Sequence, residues 1–153
     1  MLVIVLSEYS NHPSIDILRT LKMVLIHDII EIDAGDTFCY DVYDRAAKTE
    51  RERIAAHRIF SLLPMNQAQE YINLWEEFES MSTPEAQFAA SVDRLQPLLL
   101  NFYSEGHAWK KHGVKKSQVM ERNHHIAKGT TELWRFAEAL IDESVKRGYL
   151  MDG

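Results

Sequence analysis

Apolar residues recur along this chain at three- and four-residue intervals, the spacing that places side chains on one face of a helix. The pattern predicts a helical segment over about Met1–Ser10 and a second helix over about Pro13–Ile30. A loop should follow over residues 33–38, where small and turn-prone residues are concentrated. A third helix is expected over about Asp44–Leu63, which a proline follows. No stretch alternates apolar and polar residues as a half-buried strand would.

The next two helices have clearer start signals. Asn66 is predicted to cap a fourth helix, with Gln69 three residues later completing a capping box. Thr83-Pro84-Glu85 should begin a fifth helix, because Thr caps, Pro fits the first helical position and Glu complements the helix dipole. Pro97 should kink or end that helix.

The rest of the chain completes the predicted architecture. Residues 104–113 are expected to form a loop, and two further helices should meet near Gly129-Thr130. The chain has 153 residues, of which 46% are hydrophobic and 26% charged, an ordinary balance for one globular domain. The predicted fold class is therefore all-α, a compact helical bundle in a single domain over residues 1–153.

Charge and cysteine content indicate which partners and which compartment to expect. The formal net charge is −6, from 23 acidic and 17 basic side chains, and such a surface would repel nucleic acid. Cys39 is the single cysteine, which suits a reducing compartment. The apolar run Met1–Leu6 is too short to span a membrane and lacks the basic leader of a signal peptide. We therefore expect a cytoplasmic protein with neither nucleic-acid nor membrane partners.

The second helix carries an unusual group of ionisable residues. Asp28 is predicted to lie on its buried stripe, because it is in register with three apolar residues: Ile17, Leu21 and Val24. A buried ionised carboxylate is costly unless it is paired or binds a metal. His27 is its neighbour, Glu31 lies one turn on, and this mixture of ligands suits Zn, Mn, Fe or Co better than Ca. Hydrogen-bonded core residues would explain the pattern equally well, so both interpretations stay open.

Several motifs, taken in order, resemble a known family. His27-Asp28-Ile29-Ile30-Glu31, followed by Gly35-Asp36-Thr37, is similar to the core signature of HD-domain phosphohydrolases, and most of all to their small 5′-deoxynucleotidase branch. Trp75-Glu76-Glu77-Phe78-Glu79, Pro84-Glu85-Ala86-Gln87-Phe88 and Asp93-Arg94-Leu95-Gln96-Pro97-Leu98 add to the agreement. The resemblance extends over about Leu6–Tyr149 and implies a helical bundle of the HD-domain type.

The resemblance implies a role for each of five residues. His27 and Asp28 would ligate a metal ion from the second helix, and Asp93 would complete the site from the fifth. Glu31 and Asp36 are the candidate catalytic residues. Glu31 would position or activate the attacking water, or hold a second cation. Asp36 would contact the substrate sugar or that second cation.

The neighbourhood of Asp93 agrees with this arrangement. Three small residues share its face of the fifth helix: Ala86, Ala89 and Ala90. Small side chains let two helices approach closely, as a shared metal ion would require. A solvent-facing Asp93 beside Arg94 is the competing interpretation.

A cofactor, a substrate and an assembly state are also implied by the resemblance. The cofactor would be a divalent transition metal (Co, Mn, Zn or Fe), with a second cation such as Mg²⁺ as an option. The substrate would be a small-molecule nucleotide, a nucleoside 5′-monophosphate and in particular a deoxyribonucleotide, from which phosphate is removed. The chain would form a homodimer.

One feature of the family pattern is missing. Family members carry an earlier histidine in the first helix, whereas the segment at Met1–Ser10 resembles only the second half of that helix. His12 lies about 22 Å from His27 along a continuous helix, too far to replace the missing ligand. His124-His125 is interpreted as part of a solvated face. We therefore expect this chain to be impaired relative to a longer version, and the alternative is a degenerate HD domain that binds metal or nucleotide without turnover, as a scaffold.

Overall fold

The structure is a computed structural model that describes residues 1–35 and 45–153, apart from the side chains of residues 45–47. Within these ranges all regular structure is helical except an isolated bridge between Lys115 and Met151. The helices are α1 (Leu2–Leu6), α2 (Ile17–Ile26), α3 (Glu31–Ala34), α4 (Arg45–Phe60), α5 (Met65–Ser80), α6 (Pro84–Tyr103), α7 (His107–His112), α8 (Lys116–Asn123), α9 (Ile126–Gly129) and α10 (Thr131–Lys146), with 3₁₀ turns at Ser7–Tyr9 and His27–Ile30. The prediction of an all-α fold is confirmed.

Helix α6 lies between two groups of buried side chains. Large apolar residues on one of its faces pack with α7 to α10, and we call this group the distal cluster: Phe88, Val92, Leu95, Leu98, Trp109, Val119, Ile126, Leu133, Ile141 and others. Alanines on another face pack with α2, α4 and α5, and we call this group the site cluster: Met23, Ile26, Ile30, Ala55, Ala56, Phe60, Leu74, Trp75, Phe78, Ala86, Ala89 and Ala90.

The second helix was predicted with incorrect ends. It begins at Ile17, and its cap is Asp16, whose carboxylate accepts a hydrogen bond from the backbone N–H of Arg19 at 3.0 Å. Pro13 therefore lies before the helix and does not open it. The chain also stays helical past Ile30, because the 3₁₀ turn leads directly into α3.

The start signals of α5 and α6 had different outcomes. Helix α5 begins at Met65 after Pro64, and no side chain caps it, so the predicted capping box at Asn66 is wrong. The Gln69 amide instead donates to Asn73 Oδ1 at 2.8 Å. Thr83 caps α6 as predicted, because its hydroxyl oxygen accepts from a backbone N–H of the first turn at 3.2 Å.

Pro97 neither ends α6 nor interrupts its helical assignment, which continues to Tyr103, so the predicted end is wrong. A proline has no N–H, so the carbonyl of Asp93, four residues earlier, lacks its usual helical donor. The predicted loop over residues 104–113 contains α7, which is a further correction. The break near Gly129-Thr130 is confirmed, because Thr130 caps α10.

Two expectations fall partly outside the described residues. The loop over 33–38 begins in α3, which ends before Gly35, and positions 36–44 are not described. The helix predicted over Asp44–Leu63 ends at Phe60 in the structure. Among the described helices, none is both long enough and apolar enough to cross a membrane.

Candidate metal centre

His27 is held at the point where α2 changes into the 3₁₀ turn. Its side chain is only 10% exposed, and its ring packs against Phe78 of α5 with centroids 4.4 Å apart. Nδ1 lies 2.9 Å from the carbonyl oxygen of Val24. Since a carbonyl can only accept, Nδ1 carries the proton and donates it. The backbone of α2 therefore fixes the orientation of the imidazole and directs Nε2 away from the helix.

Nε2 of His27 faces two carboxylates. It lies 3.0 Å from Asp28 Oδ1 and 3.2 Å from Asp93 Oδ1, although Asp93 is 66 residues away in sequence. A neutral Nε2 would present a lone pair to two acceptors, so this point of the structure requires a proton or a cation. Burial would lower the pKa of His27, but the hydrogen bond with Asp93 and the charges of Asp93 and Asp28 outweigh it, and the pKa is raised.

Asp93 comes to His27 because α6 lies very close to α2. The three alanines on its side of α6 are fully or almost fully buried in the site cluster, as their small size predicts. Burial would raise the pKa of Asp93, but the hydrogen bond with His27 and the positive charge of Arg94 lower it overall. Its side chain is 26% exposed. The interpretation of Asp93 as a purely solvent-facing residue therefore does not hold.

The environment of Asp28 was predicted incorrectly. Its side chain is 68% exposed and does not lie on a buried stripe. The buried residues of this segment are instead Thr20, Met23, Ile26 and Ile30. The residues in register with Asp28, which are Ile17, Leu21 and Val24, are themselves only partly buried, so the prediction placed the buried face of α2 too far round the helix. Asp28 therefore meets Nε2 from the solvent side.

Only one of the two candidate catalytic residues lies within the described residues. Glu31 is the first residue of α3, one turn beyond His27, and is half-buried. Asp36 lies outside the described residues, as does Cys39. The structure thus brings His27, Asp28 and Asp93 together. Over residues 1–35 and 45–153, no group of three or more His, Cys, Asp or Glu side chains has the geometry to hold a metal ion.

The pattern of apolar residues did not indicate three further ionisable residues near this centre. Glu79 follows Phe78, and burial together with the negative charge of Glu52 raises its pKa, against the charges of His27, Lys48 and Arg94. Arg94 follows Asp93, with its Nε 3.7 Å from Asp93 Oδ2. Their places beside Phe78 and Asp93 could have suggested both, but nothing in the sequence shows which way they face.

His125 is the third of these residues, and its interpretation as part of a solvated face is corrected. It is half-buried, and burial with the charges of Arg94, Arg122, His124 and Lys128 lowers its pKa to about 4. His125 is therefore uncharged at neutral pH, and when protonated it lowers the pKa of Asp93. His124 is exposed as expected.

The chemistry of these side chains fits a divalent transition metal. A metal-binding histidine usually donates its second ring N–H to a carbonyl or carboxylate, as His27 does to Val24. Imidazole nitrogen with carboxylate oxygens is a ligand set that Zn²⁺, Mn²⁺, Fe²⁺ and Co²⁺ accept. The donor set therefore fits such a metal by its chemistry, although the three side chains do not have a three-ligand geometry as they stand.

Comparison with known proteins gives one family match. A family model described as "HD domain" matches residues 1–134. The 5′-deoxynucleotidase HDDC2 of Danio rerio is 32% identical over 130 residues, covering 72% of this chain and 65% of that protein. The 5′-deoxynucleotidase hdd1 of Schizosaccharomyces pombe is 33% identical over 108 residues, covering 66% and 53%. The chain thus spans between about half and two thirds of the length of these curated relatives.

A solved structure agrees over nearly the whole chain. The crystal structure of a predicted metal-dependent phosphohydrolase from Magnetospirillum magnetotacticum MS-1 superposes with a TM-score of 0.91 at 49% sequence identity. The match covers 98% of this chain and 76% of that one. The arrangement of helices around His27 and Asp93 is therefore shared with that protein.

Proposed function

This chain belongs to the HD domain family, and from that membership we infer that it is a metal-dependent phosphohydrolase that removes phosphate from nucleoside 5′-monophosphates. The observation that carries the proposal is the imidazole of His27, held by Val24 and directed between the carboxylates of Asp28 and Asp93. These three side chains would bind a divalent transition metal such as Co, Mn, Zn or Fe. The relatives named 5′-deoxynucleotidase support deoxyribonucleotides as the substrates.

The residues of the centre would divide the reaction among them. A metal ion bound there supplies polarisation of the phosphoryl oxygens and a water of lowered pKa. Glu31, one turn from His27, would orient or deprotonate that water, or hold a second cation such as Mg²⁺. Asp36 would contact the sugar or the second cation. The bond that breaks joins phosphorus to the 5′ oxygen, and the products are a nucleoside and inorganic phosphate.

Metal content and phosphate release test the centre directly. Protein purified without chelator should contain a transition metal and release phosphate from a deoxynucleoside 5′-monophosphate, with little release from the 3′ isomer. Asp28→Asn should lose both the metal and the activity. Asp142→Asn, which makes the same change at an exposed position of α10, is the matched control and should lose neither. Equal metal content in all three proteins would contradict the assignment of Asp28.

Glu31 is tested by separating metal binding from turnover. Glu31→Ala should abolish phosphate release while the transition metal stays bound, because we place Glu31 beside the water and not among the tight ligands. Glu138→Ala, on α10, is a control for the loss of a carboxylate elsewhere. Full activity of Glu31→Ala would show that this role is wrong.

The second candidate function is binding without turnover, by a degenerate domain acting as a scaffold. The observation that favours it is the lack of a three-ligand metal geometry within the described residues. A wild-type chain that binds metal or nucleotide and releases no phosphate, under conditions where a related 5′-deoxynucleotidase does, would support this alternative over the enzyme.

We further propose that the chain forms a homodimer. Four apolar side chains on the segment from α2 to α3 are exposed: Leu18, Leu25, Ile29 and Ile32. Such a stripe is unusual for a monomer and is often covered by a partner. Light scattering after size exclusion should give twice the mass of the chain, and Leu25→Glu should reduce it to the monomer mass. A monomeric wild type would contradict the proposal.

A further inference from the structure

Arg94 and His27 lie on opposite sides of one carboxylate. Asp93 directs Oδ1 towards His27 Nε2 at 3.2 Å, and its Oδ2 lies 3.7 Å from Arg94 Nε. A cation bound to Oδ1 of Asp93 would therefore lie on one side of the carboxylate group, with the guanidinium of Arg94 on the other side. Any anion bound to that cation would lie within reach of the long Arg94 side chain, because metal–oxygen bonds are only about 2.0–2.2 Å long.

Arg94 is also central to the charges around the site. Its positive charge helps to lower the pKa values of His125 in the turn before α9 and of Asp93 on α6, and it opposes the raised pKa of Glu79 on α5. Its charge therefore acts on groups from three separate parts of the fold. On the His125 side the neighbouring groups are basic, since Arg122, His124 and Lys128 act on His125 in the same direction. These basic groups lie together in a chain whose net charge is −6.

The contact between Arg94 and Asp93 does not engage the guanidinium in a hydrogen bond. Its distance of 3.7 Å is too long for a hydrogen bond, and the two residues are direct neighbours in the chain. A guanidinium carries five N–H donors in a planar fork that matches the oxygens of a phosphate group. The side chain is 29% exposed, so its end is accessible from solvent.

We propose that Arg94 is a phosphate-binding residue, whose guanidinium binds the phosphoryl group of a phosphate monoester held at the His27–Asp28–Asp93 centre. The proposal rests on the proposed function, since it assigns a substrate contact to that same site. Arg94 would offset one of the two negative charges of the phosphoryl group and orient the group for attack by water.

Inorganic phosphate is the probe that separates this role from a structural one. Its dissociation constant is measured by calorimetry on Mn²⁺-loaded wild type, Arg94→Gln and Arg94→Lys, together with metal content and circular dichroism. Arg94→Gln should retain the metal and weaken phosphate binding by about 10- to 100-fold, the usual loss for a hydrogen bond between charged groups. Arg94→Lys should show a smaller loss, because it keeps the charge and loses the planar fork.

Arg135→Gln is the matched control, because it removes the same charge from an exposed position of α10. It should bind phosphate as wild type does. Unchanged phosphate binding in Arg94→Gln with its metal retained would overturn the proposal. So would loss of metal in both Arg94 variants, which would show that Arg94 only supports Asp93. If wild type binds phosphate through Arg94 but releases none from 5′-monophosphates, the proposed function fails while this inference stands.

Discussion

Two faces of helix α6 are built from different residues and serve different purposes. The face towards the distal cluster presents large apolar side chains: Phe88, Val92, Leu95 and Leu98. The face towards the site cluster presents three alanines and then Asp93. The first face buries much apolar area, which is the main source of stability in a fold of this kind. The second buries little area per residue but lets α2 come close.

That closeness is what the candidate metal centre needs. His27 and Asp93 interact although 66 residues separate them, and no loop or flexible segment carries either of them. Larger side chains between α2 and α6 would hold Nε2 and the carboxylate apart. One face of α6 therefore contributes mainly to stability, and the other face positions the side chains of the candidate metal centre. The first two predictions below each change one face and measure both stability and metal binding.

The largest loss of stability should come from the face with large residues. Phe88 is completely buried, so Phe88→Ala should lower the free energy of unfolding by about 3–5 kcal/mol. Phe136→Ala, at a position of α10 that is 48% exposed, is the control and should cost far less. Both are measured by urea unfolding. Metal content of the folded Phe88→Ala protein should stay at the wild-type value, and its loss would contradict the division between the two faces.

A smaller loss of stability, with a larger loss of function, should come from the alanine face. Ala89 is completely buried beside α2, and Ala89→Leu would overpack the contact at a cost of about 1–3 kcal/mol. The two helices would move apart, so metal binding should weaken more than stability suggests. Ala139→Leu at an exposed position of α10 is the control. Normal metal affinity in Ala89→Leu would show that close packing is not what positions Asp93.

Much of this arrangement could be predicted from the sequence, because it depends on helical spacing. The all-α fold, the cap at Thr83 and the small face of α6 all follow from residues within a few positions of one another. The exposure of Asp28 could not be predicted in the same way. Apolar residues lie on several sides of α2, so their spacing does not show that the buried face carries Thr20, Met23 and Ile26.

The surroundings of the centre were harder to predict because they are brought together by contacts between distant parts of the chain. The turn carrying His125 lies against α6 at Ser91, whose hydroxyl oxygen is 3.0 Å from the carbonyl oxygen of Ile126 and 2.7 Å from that of Gln87. Gly129 allows this approach, since a side-chain carbon there would lie 2.4 Å from the carbonyl oxygen of Gln87. Neither contact can be recognised in the sequence. His125 was therefore interpreted as adjacent histidines usually are, as part of a solvated face.

His125 should make the free energy of unfolding depend on pH, which tests the surroundings of the candidate metal centre. Its pKa is about 4 in the folded chain and about 6.5 in an unfolded one, so only the unfolded chain takes up a proton between these values. Stability should therefore be fully retained above about pH 6.5 and decrease towards pH 4, by on the order of 1–2 kcal/mol for this partly accessible group. His125→Gln should remove this contribution, and His124→Gln, its exposed neighbour, should not. Identical pH profiles for wild type and His125→Gln would contradict the assignment.

The smallest effect is expected at the start of α6, where the site face begins. The hydroxyl of Thr83 accepts from the N–H of Ala86 at 3.2 Å and donates to Glu77 at 2.6 Å, and Glu77 is paired with Arg19 of α2. Thr83→Ala removes this cap and should cost about 1 kcal/mol in urea unfolding. Thr83→Ser keeps the hydroxyl and should cost little. Because the hydroxyl connects α6 through Glu77 to α2, Thr83→Ala should also weaken metal binding slightly. An equal loss of stability in both variants would show that the methyl group of Thr83 matters and the hydroxyl does not.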